Sequence, residues 1–267
     1  MRTNLLLALL STLPASAFAA TDAAEPTSHS AMQQAQMNSA TMDSFAYAKS
    51  PEHPDGHGGS VYHAVSVELD SGITSGGSEA ISSWDLSGWI GGDTNKLWLQ
   101  SEGELEGSSA ETAEFWGLYS RKISDYWDAQ IGARMDVEPE STGYAVVGFK
   151  GLAPYFFETG AHLFVSEDGD LSARFRQQNE LLWTQRLISE PFFEINLAAQ
   201  NNEDLGVGAG LSDIEVGLQT RYEIDRAFAP YVEVRHERVF GKTADLVRAE
   251  GDSTSDWFGV LGVKLGF

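Results

Sequence analysis

Thioether and imidazole side chains are concentrated in the first quarter of the chain, where they could bind a metal ion. Three of the five methionines recur at intervals of five residues, and four of the six histidines lie in or just after the same stretch. Thioether sulfur suits Cu(I), and imidazole suits Cu(II) and other borderline ions. The candidate ligands are His29, Met32, Met37, Met42, His53, His57 and His63. On spacing alone, tolerance of Met and His in a polar segment explains the pattern slightly better than a metal site, because no compact His cluster is present.

Charged side chains recur at every second position of several later segments. Alternate residues of a β-strand share one face, so each set predicts a polar strand face. Because opposite charges recur on neighbouring segments, ion pairs that fill a narrow interior are favoured over a metal-conducting channel. The sets are Gln100, Glu102, Glu104 and Glu106; Asp128, Gln130, Gly132, Arg134 and Asp136; Arg174, Arg176, Gln178 and Glu180; Glu194, Asn196 and Gln200; Asp213, Glu215, Gln219 and Arg221; and Glu233, Arg235 and Glu237.

Two later histidines have opposite strand parity. His162 alternates with Glu158, which predicts an inward imidazole that hydrogen-bonds a carboxylate rather than a metal ligand. His236 has outward parity, and an outward His beside a Ser on an adjacent strand could form a hydrolase site. The outward positions assigned to the adjacent strands contain no Ser, so the hydrolase hypothesis is weak. Those positions are Ile214, Val216, Leu218, Thr220, Leu261, Val263 and Leu265.

The regions that position these side chains differ sharply in composition. Residues 1–20 carry Arg2, an apolar run over 5–10 and the small-residue pattern Ala17-Phe18-Ala19, which predicts a secretory signal peptide. Residues 21–59 are polar and lack periodicity, which predicts a flexible arm. No later stretch approaches the roughly 18 apolar residues of a transmembrane helix.

The chain has no cysteine, which excludes disulfides and thiolate metal sites and, with export, favours a bacterial envelope protein. The net charge of −22 argues against nucleic acid and for cations as partners.

Residues 60–267 read as twelve alternating strands separated by turn residues. The predicted strands are 61–71, 80–91, 95–106, 111–121, 125–137, 142–151, 155–166, 170–186, 191–202, 211–224, 229–239 and 256–267. Connections after even strands are tight (91–95, 122–125, 151–154 and 188–191), whereas those after odd strands include the long stretches 200–210 and 241–256. Tight turns at one end and longer loops at the other are typical of an outer-membrane barrel.

The chain end favours a membrane barrel over a soluble sandwich. Alternation alone cannot show which face is inside, since a sandwich buries the apolar face and a membrane barrel exposes it to lipid. The last strand carries its apolar face to Phe267, the chain end. Several strands end in aromatic residues suited to a membrane interface, namely Tyr119, Tyr222, Tyr231 and Trp89. We therefore predict a closed, antiparallel transmembrane β-barrel of about 12 strands, in contact with outer-membrane lipid.

Six stretches of the chain resemble the copper resistance protein B family of bacterial outer-membrane proteins. They are WDLSGWIGGDTNKLWLQSEGE (84–104), YSRKISDYWDAQIGAR (119–134), GLAPYFFE (151–158), LLWTQRLI (181–188), GLSDIEVGLQTRYEI (210–224) and FAPYVEVRHERVFGKTAD (228–245). The resemblance extends over essentially all of 61–267. It implies an outer-membrane barrel in copper resistance or traffic, working beside periplasmic copper proteins, with no catalytic chemistry.

The resemblance also implies copper, as Cu(I) or Cu(II), as the bound ion. Family members carry a Met-, His- and Asp-rich N-terminal arm, and here HSAM (29–32) and single methionines replace the dense repeat, which reduces the expected copper capacity. The matching arm ligands are the seven residues named above. The matched carboxylates of the lumen are expected to have mainly a structural role and, secondarily, to form an ion path, with His162 beside them. That path comprises Asp85, Glu102, Glu104, Glu158, His162, Asp213, Glu215 and Glu237. The alternative functions are a general small-cation or solute channel and an outer-membrane hydrolase.

Overall fold

The computed structural model describes residues 61–75, 80–106, 109–138, 141–202 and 206–267. Most of them lie in β-strands, which we number along the chain, and one α-helix follows the twelfth strand. The strands are β1 (Tyr62–Thr74), β2 (Ala80–Gly91), β3 (Asn95–Glu106), β4 (Ser109–Lys122), β5 (Trp127–Glu138), β6 (Thr142–Ala153), β7 (Phe157–Ser166), β8 (Leu171–Gln178), β9 (Leu181–Leu182), β10 (Leu187–Ala198), β11 (Gly210–Tyr222), β12 (Phe228–Val239) and β13 (Ser255–Gly266), and the helix is α1 (Gly241–Glu250).

The strands close into a barrel. Each strand pairs antiparallel with its neighbours, and β13 pairs with β1 from Ser66↔Gly266 to Thr74↔Phe258. At the chain end, the Phe267 N–H donates to the Val65 carbonyl at 2.9 Å, and the Val65 N–H donates back at 3.0 Å. Since β8 and β9 are two pieces of one strand, both paired with β10, the wall has twelve positions. The predicted twelve-stranded antiparallel barrel is confirmed.

The two faces of the wall differ as the alternation requires. Large apolar side chains on the outer face stay exposed on the isolated chain, which is the arrangement that a lipid environment stabilises. Polar and charged side chains on the same strands point into the barrel. The outer set includes Leu69, Leu86, Leu97, Leu99, Phe115, Ile131, Val147, Phe149, Leu163, Val216, Leu218, Val232, Val234 and Leu261.

The strand predicted at 191–202 begins earlier than expected. The sequence ISEP (188–191) was predicted as a turn, but it lies inside β10, and the turn is at 183–186. Pro191 faces the interruption between β8 and β9, where its carbonyl accepts the Asn179 N–H at 3.1 Å. A proline lacks an N–H and is tolerated in a sheet where the ladder is interrupted. Because β10 ends at Ala198, Gln200 lies in the following loop rather than on the wall.

The two ends of the barrel differ in their connections. One end, called the short-turn end here, carries the turns at 92–94, 123–126, 154–156, 183–186 and 223–227 together with Val61 and Phe267. The opposite loop end carries the longer connections 199–209 and 240–254. Helix α1 lies in the second of these, and its Thr243 hydroxyl accepts the Gly208 N–H at 2.9 Å, which ties the two long loops together. Among the described residues, no helix is long and apolar enough to cross a membrane.

Candidate functional site

The barrel encloses a cavity of about 530 Å³. Its wall carries twelve carboxylates but only five Lys or Arg side chains, so the lining is strongly acidic. In an enclosed space of low dielectric, such an excess of one charge sign attracts ions of the opposite sign. The cavity is therefore suited to cations, and its charged groups define the candidate site.

One side of the lumen, on β2 to β7, is packed with aromatic and aliphatic side chains. We call this set the aromatic cluster: Trp98, Trp116, Leu118, Val146 and Phe164, with Trp89 and Tyr144 packed against it. Trp116 and Phe164 meet edge to face at 5.2 Å, a favourable aromatic geometry. Trp89 was expected at the membrane interface, but it has inward parity and lines the cavity. The alternating sets predicted a lumen that is polar on every side, but the structure has one apolar side.

A network of two arginines and several carboxylates borders the aromatic cluster. Arg174 on β8 donates from Nη1 to Glu102 Oε1 at 2.6 Å and from Nη2 to Glu114 Oε1 at 3.0 Å. Arg134 contacts the same Glu114 at 2.9 Å and forms a bidentate pair with Asp136 at 2.5 and 2.6 Å. Charge-assisted and bidentate bonds of this kind are stronger than neutral ones. The network therefore fixes the position of Arg174 inside the lumen.

A second group of charges surrounds Arg221, whose side chain is 0% exposed. Its guanidinium donates to Glu190 at 2.7 Å and also to Glu180, which lies in the interruption between β8 and β9. Glu223, just beyond β11, completes the group at 3.7 Å. Burial raises the pKa of the Glu223 carboxyl above its ordinary value, and the neighbouring Arg221 charge opposes that rise. We call these four residues the Arg221 cluster.

The seam between the first and last strands is joined by polar contacts. Lys264 on β13 pairs with Glu68 on β1 at 2.7 Å. The Tyr231 hydroxyl donates to Asp70 at 2.8 Å, and its ring crosses β13 at Gly262, where an added Cβ would lie 2.3 Å from the ring. Tyr231 was expected at the membrane interface, but it is 4% exposed and faces inward, since it shares its parity with Glu233.

The structure brings together most of the predicted ion-path residues. Asp85, Glu102, Glu104, Glu158, His162 and Glu215 all line the cavity. Asp213 accepts a hydrogen bond from Asn196 Nδ2 at 2.9 Å, and Glu237 pairs in register with Glu215 on β11. Passage of ions along these residues stays a prediction. The side chain of Glu106, the last member of the β3 set, lies outside the described part.

The predicted arm ligands are not brought together in the described structure. His29, Met32, Met37, Met42, His53 and His57 lie outside the described residues. His63 is part of β1, where it is exposed and paired in register with Ile90 on β2. Within the described ranges, no three His, Asp or Glu side chains are grouped as a metal ion would require.

His162 lies in the lumen, as its parity predicted, but its partner differs from the expected carboxylate. Nε2 shares a 2.8 Å hydrogen bond with the Gln130 amide oxygen, and the ring meets Trp116 edge to face at 5.7 Å. The imidazole is therefore held between the polar and aromatic sides of the lumen.

His236 faces outward, as predicted, and has a serine neighbour that the sequence reading missed. Nε2 lies 2.9 Å from the Ser255 hydroxyl, and the ring contacts the Trp257 ring in a tilted arrangement with the centroids 4.7 Å apart. Strand β13 begins at Ser255, one residue before the predicted start, which adds this serine to the outward set. A hydrolytic triad also needs a third group that orients the imidazole, and the described residues show no carboxylate hydrogen-bonded to His236.

The alternating pattern identifies both the arginines and the carboxylates of the lumen but not which of them pair. Arg174 and Glu102 are 72 residues apart, and Arg235 and Glu104 are 131 apart. No local pattern relates residues so distant in the chain. For the aromatic cluster a signal did exist, since Trp98 precedes Gln100 at the same parity.

Comparisons with known proteins agree with this architecture. The family model described as "Copper resistance protein B precursor (CopB)" matches residues 66–267. The chain is 41% identical over 186 residues to copper resistance protein B of Escherichia coli, a match that covers 69% of this chain and 63% of that protein. It is 40% identical over 185 residues to the copper resistance protein B homolog of Pseudomonas syringae pv. tomato (strain ATCC BAA-871 / DC3000), with the same coverage. The chain thus spans 63% of the length of these relatives.

Two solved structures show the same fold at low sequence identity. The NanC porin superposes with a TM-score of 0.55 at 14% identity, covering 74% of this chain and 98% of that one. The KdgM porin gives 0.50 at 13% identity, covering 76% and 99%. They support the transmembrane barrel, and the family is shown by the matched sequence. The chain belongs to the copper resistance protein B family.

Proposed function

We propose that this protein contributes to copper resistance in the bacterial outer membrane by binding copper through its N-terminal arm and offering it an acidic lumen. The observation that carries the proposal is the cavity lining, with twelve carboxylates and five Lys or Arg side chains, inside a barrel of the copper resistance protein B family. A lining of this charge concentrates cations in the lumen. No step of this function requires bond chemistry.

The arm and the lumen supply different kinds of ligand. Met and His side chains of the arm suit Cu(I) and Cu(II), whereas carboxylates suit harder ions. Val61, the first described residue, lies at the short-turn end, four residues before Val65, which pairs with Phe267. We infer that this end faces the periplasm, as in other bacterial barrels with short turns on that side. The arm would then exchange copper with periplasmic copper proteins.

Copper binding by two forms of the protein tests the arm. The mature chain and a form that lacks residues 21–59 are folded in detergent and titrated with Cu(I) and with Cu(II), and bound metal is measured after desalting. We expect the shortened form to lose most of the tightly bound copper, because thioether and imidazole ligands are concentrated in 21–59. Equal binding by both forms contradicts the role of the arm.

A second candidate function is unselective passage of small cations. It is favoured by the same acidic lining, which has no arrangement specific to copper among the described residues. Planar bilayer recordings separate the two functions. If potassium conductance is unaffected by copper and copper resistance is unchanged in cells that carry the shortened form, the unselective channel is the better description.

A further inference from the structure

Two guanidinium groups reach across the lumen to the same strand. Arg174 on β8 donates to Glu102 on β3 at 2.6 Å, and Arg235 on β12 donates to Glu104 on β3 at 2.7 Å. Around the closed wall, β8 is five strands from β3 in one direction and β12 is four strands from β3 in the other. Neighbouring strands are about 4.8 Å apart, so contacts between strands this distant must cross the interior.

Both bridges meet the β3 wall at nearly the same level. Glu102 and Glu104 are alternate residues, so their Cα atoms are about 7 Å apart along the strand. The bridges therefore run from β8 and from β12 to one short stretch of β3 and divide the cross-section of the lumen into three sectors. An ion that passes the full length of the barrel has to pass through one of these sectors.

Each bridge is held by further contacts. Arg174 also bonds Glu114 at 3.0 Å and Asn196 Oδ1 at 3.1 Å, and its side chain is 18% exposed. Arg235 lies over the Phe258 ring at 4.7 Å and is 15% exposed. Because each head group has several partners, moving it out of the lumen breaks more than one interaction. The bridges are fixed parts of the lumen rather than freely moving side chains.

A third lumen arginine provides a natural comparison. Arg176 on β8 carries the same charge, but it is 43% exposed, and its charged partner is Glu194 on the adjacent strand β10, at 3.7 Å. Its guanidinium lies over Phe192, also on β10. These direct contacts of Arg176 are thus with its own side of the wall. Removing it changes the lumen charge by the same amount as removing Arg174, without removing a bridge.

We propose that Arg174 and Arg235 form the constriction of the barrel and determine its conductance and its preference among cations. The relevance of the constriction to copper rests on the proposed function. Its effect on conductance does not, because it acts on any small ion. In channels, constrictions and the fixed charges at them set both conductance and selectivity. Here the two bridges supply two of the five positive charges in a lumen with an excess of carboxylates, so their removal should widen the path and increase its preference for cations.

Single-channel conductance of the full mature protein in planar bilayers tests the constriction in potassium chloride without copper. The variants are Arg174→Ala, Arg235→Ala and the two combined, with Arg176→Ala as the control of equal charge. We expect the combined variant to conduct at least about twofold more than the parent protein, and Arg176→Ala to stay close to it. Reversal potentials in a salt gradient should shift further toward potassium in the bridge variants than in Arg176→Ala.

A paired variant keeps the test valid if loss of one arginine impairs folding. Arg235→Ala with Glu104→Ala removes a whole bridge without leaving an unpaired carboxylate, and heat-dependent gel mobility verifies that the barrel has formed. Unchanged conductance in this variant and in the folded bridge variants overturns the proposal. An equal rise in Arg176→Ala also overturns it, because lumen charge would then be the cause. Since no copper is present, these results are independent of whether the arm binds copper.

Discussion

The lumen has two sides that are stabilised in different ways. On β2 to β7, the aromatic cluster fills the interior by close packing, and Val146 and Phe164 are at most 1% exposed. On β8 to β13, the interior is held mainly by arginines and carboxylates that pair with one another and across the lumen, whereas on the first side the pairs of Arg134 with Glu114 and Asp136 border the aromatic cluster. Packed rings keep their positions through many weak contacts that depend on shape. Ion pairs depend on charge balance instead, so the second side can be altered by removing single charges and restored by removing their partners.

The Arg221 cluster gives the largest expected effect in this comparison. Arg221→Met leaves the buried Glu190 and the partly buried Glu180 without their cation, and losing one partner of a buried pair costs about 3–5 kcal/mol. We expect this loss in the free energy of unfolding, measured by urea denaturation in phospholipid vesicles with tryptophan fluorescence. Adding Glu180→Gln and Glu190→Gln should restore much of it. A single variant as stable as the parent protein contradicts a structural role for the cluster.

Phe164 tests the packed side. Phe164→Ala removes a ring that is 1% exposed, and the cavity and lost transfer free energy together cost about 3 kcal/mol. Phe164→Leu should recover part of the loss, whereas neutralising nearby charges should recover none. The control is Phe149→Ala on the outer face, where the ring is half exposed and lipid chains take its place. Equal losses at the two positions would mean that the cluster is not closely packed.

At the seam of the barrel, Tyr231 allows the contribution of its ring to be measured apart from that of its hydroxyl. We expect the smallest change in the free energy of unfolding here. Tyr231→Phe keeps the ring across Gly262 but removes the hydrogen bond to Asp70, which is worth about 1 kcal/mol net. Urea denaturation should show that loss with no change in the barrel. Tyr222→Phe, at an exposed outward position, serves as the control. A loss several times larger would show that the Ser83 hydroxyl, which also donates to Asp70, does not compensate for the lost hydrogen bond.

Much of the fold is readable from alternation, because each strand separates lipid-facing from lumen-facing residues with a period of two. The strand β3 was predicted at its observed bounds, and inward parity was correct for Glu102, His162 and Arg174. The predicted strand bounds are wrong where a residue typical of turns is present for another reason. Pro191 resembled a turn residue but faces an interruption in the neighbouring strand.

Helix α1 was missed because the long connection around it was read only for its length. Its signal is present at the C-terminal end, where Gly251 adopts a left-handed conformation with φ of 97° and donates to the Arg248 carbonyl at 3.2 Å. Glycine after a run of helix-forming residues is a common helix stop. The short segment could therefore have been predicted, although its contact with the other long loop could not.

The sequence by itself determined a β-wall with one apolar and one charged face, because its side chains alternate with a period of two. Only the tertiary structure decided which charges meet. Closure brings β8 and β12 opposite β3 and so places Arg174 and Arg235 against Glu102 and Glu104. Contacts across a lumen depend on how many strands separate two residues around the wall. That number cannot be derived from the spacing of residues within either strand.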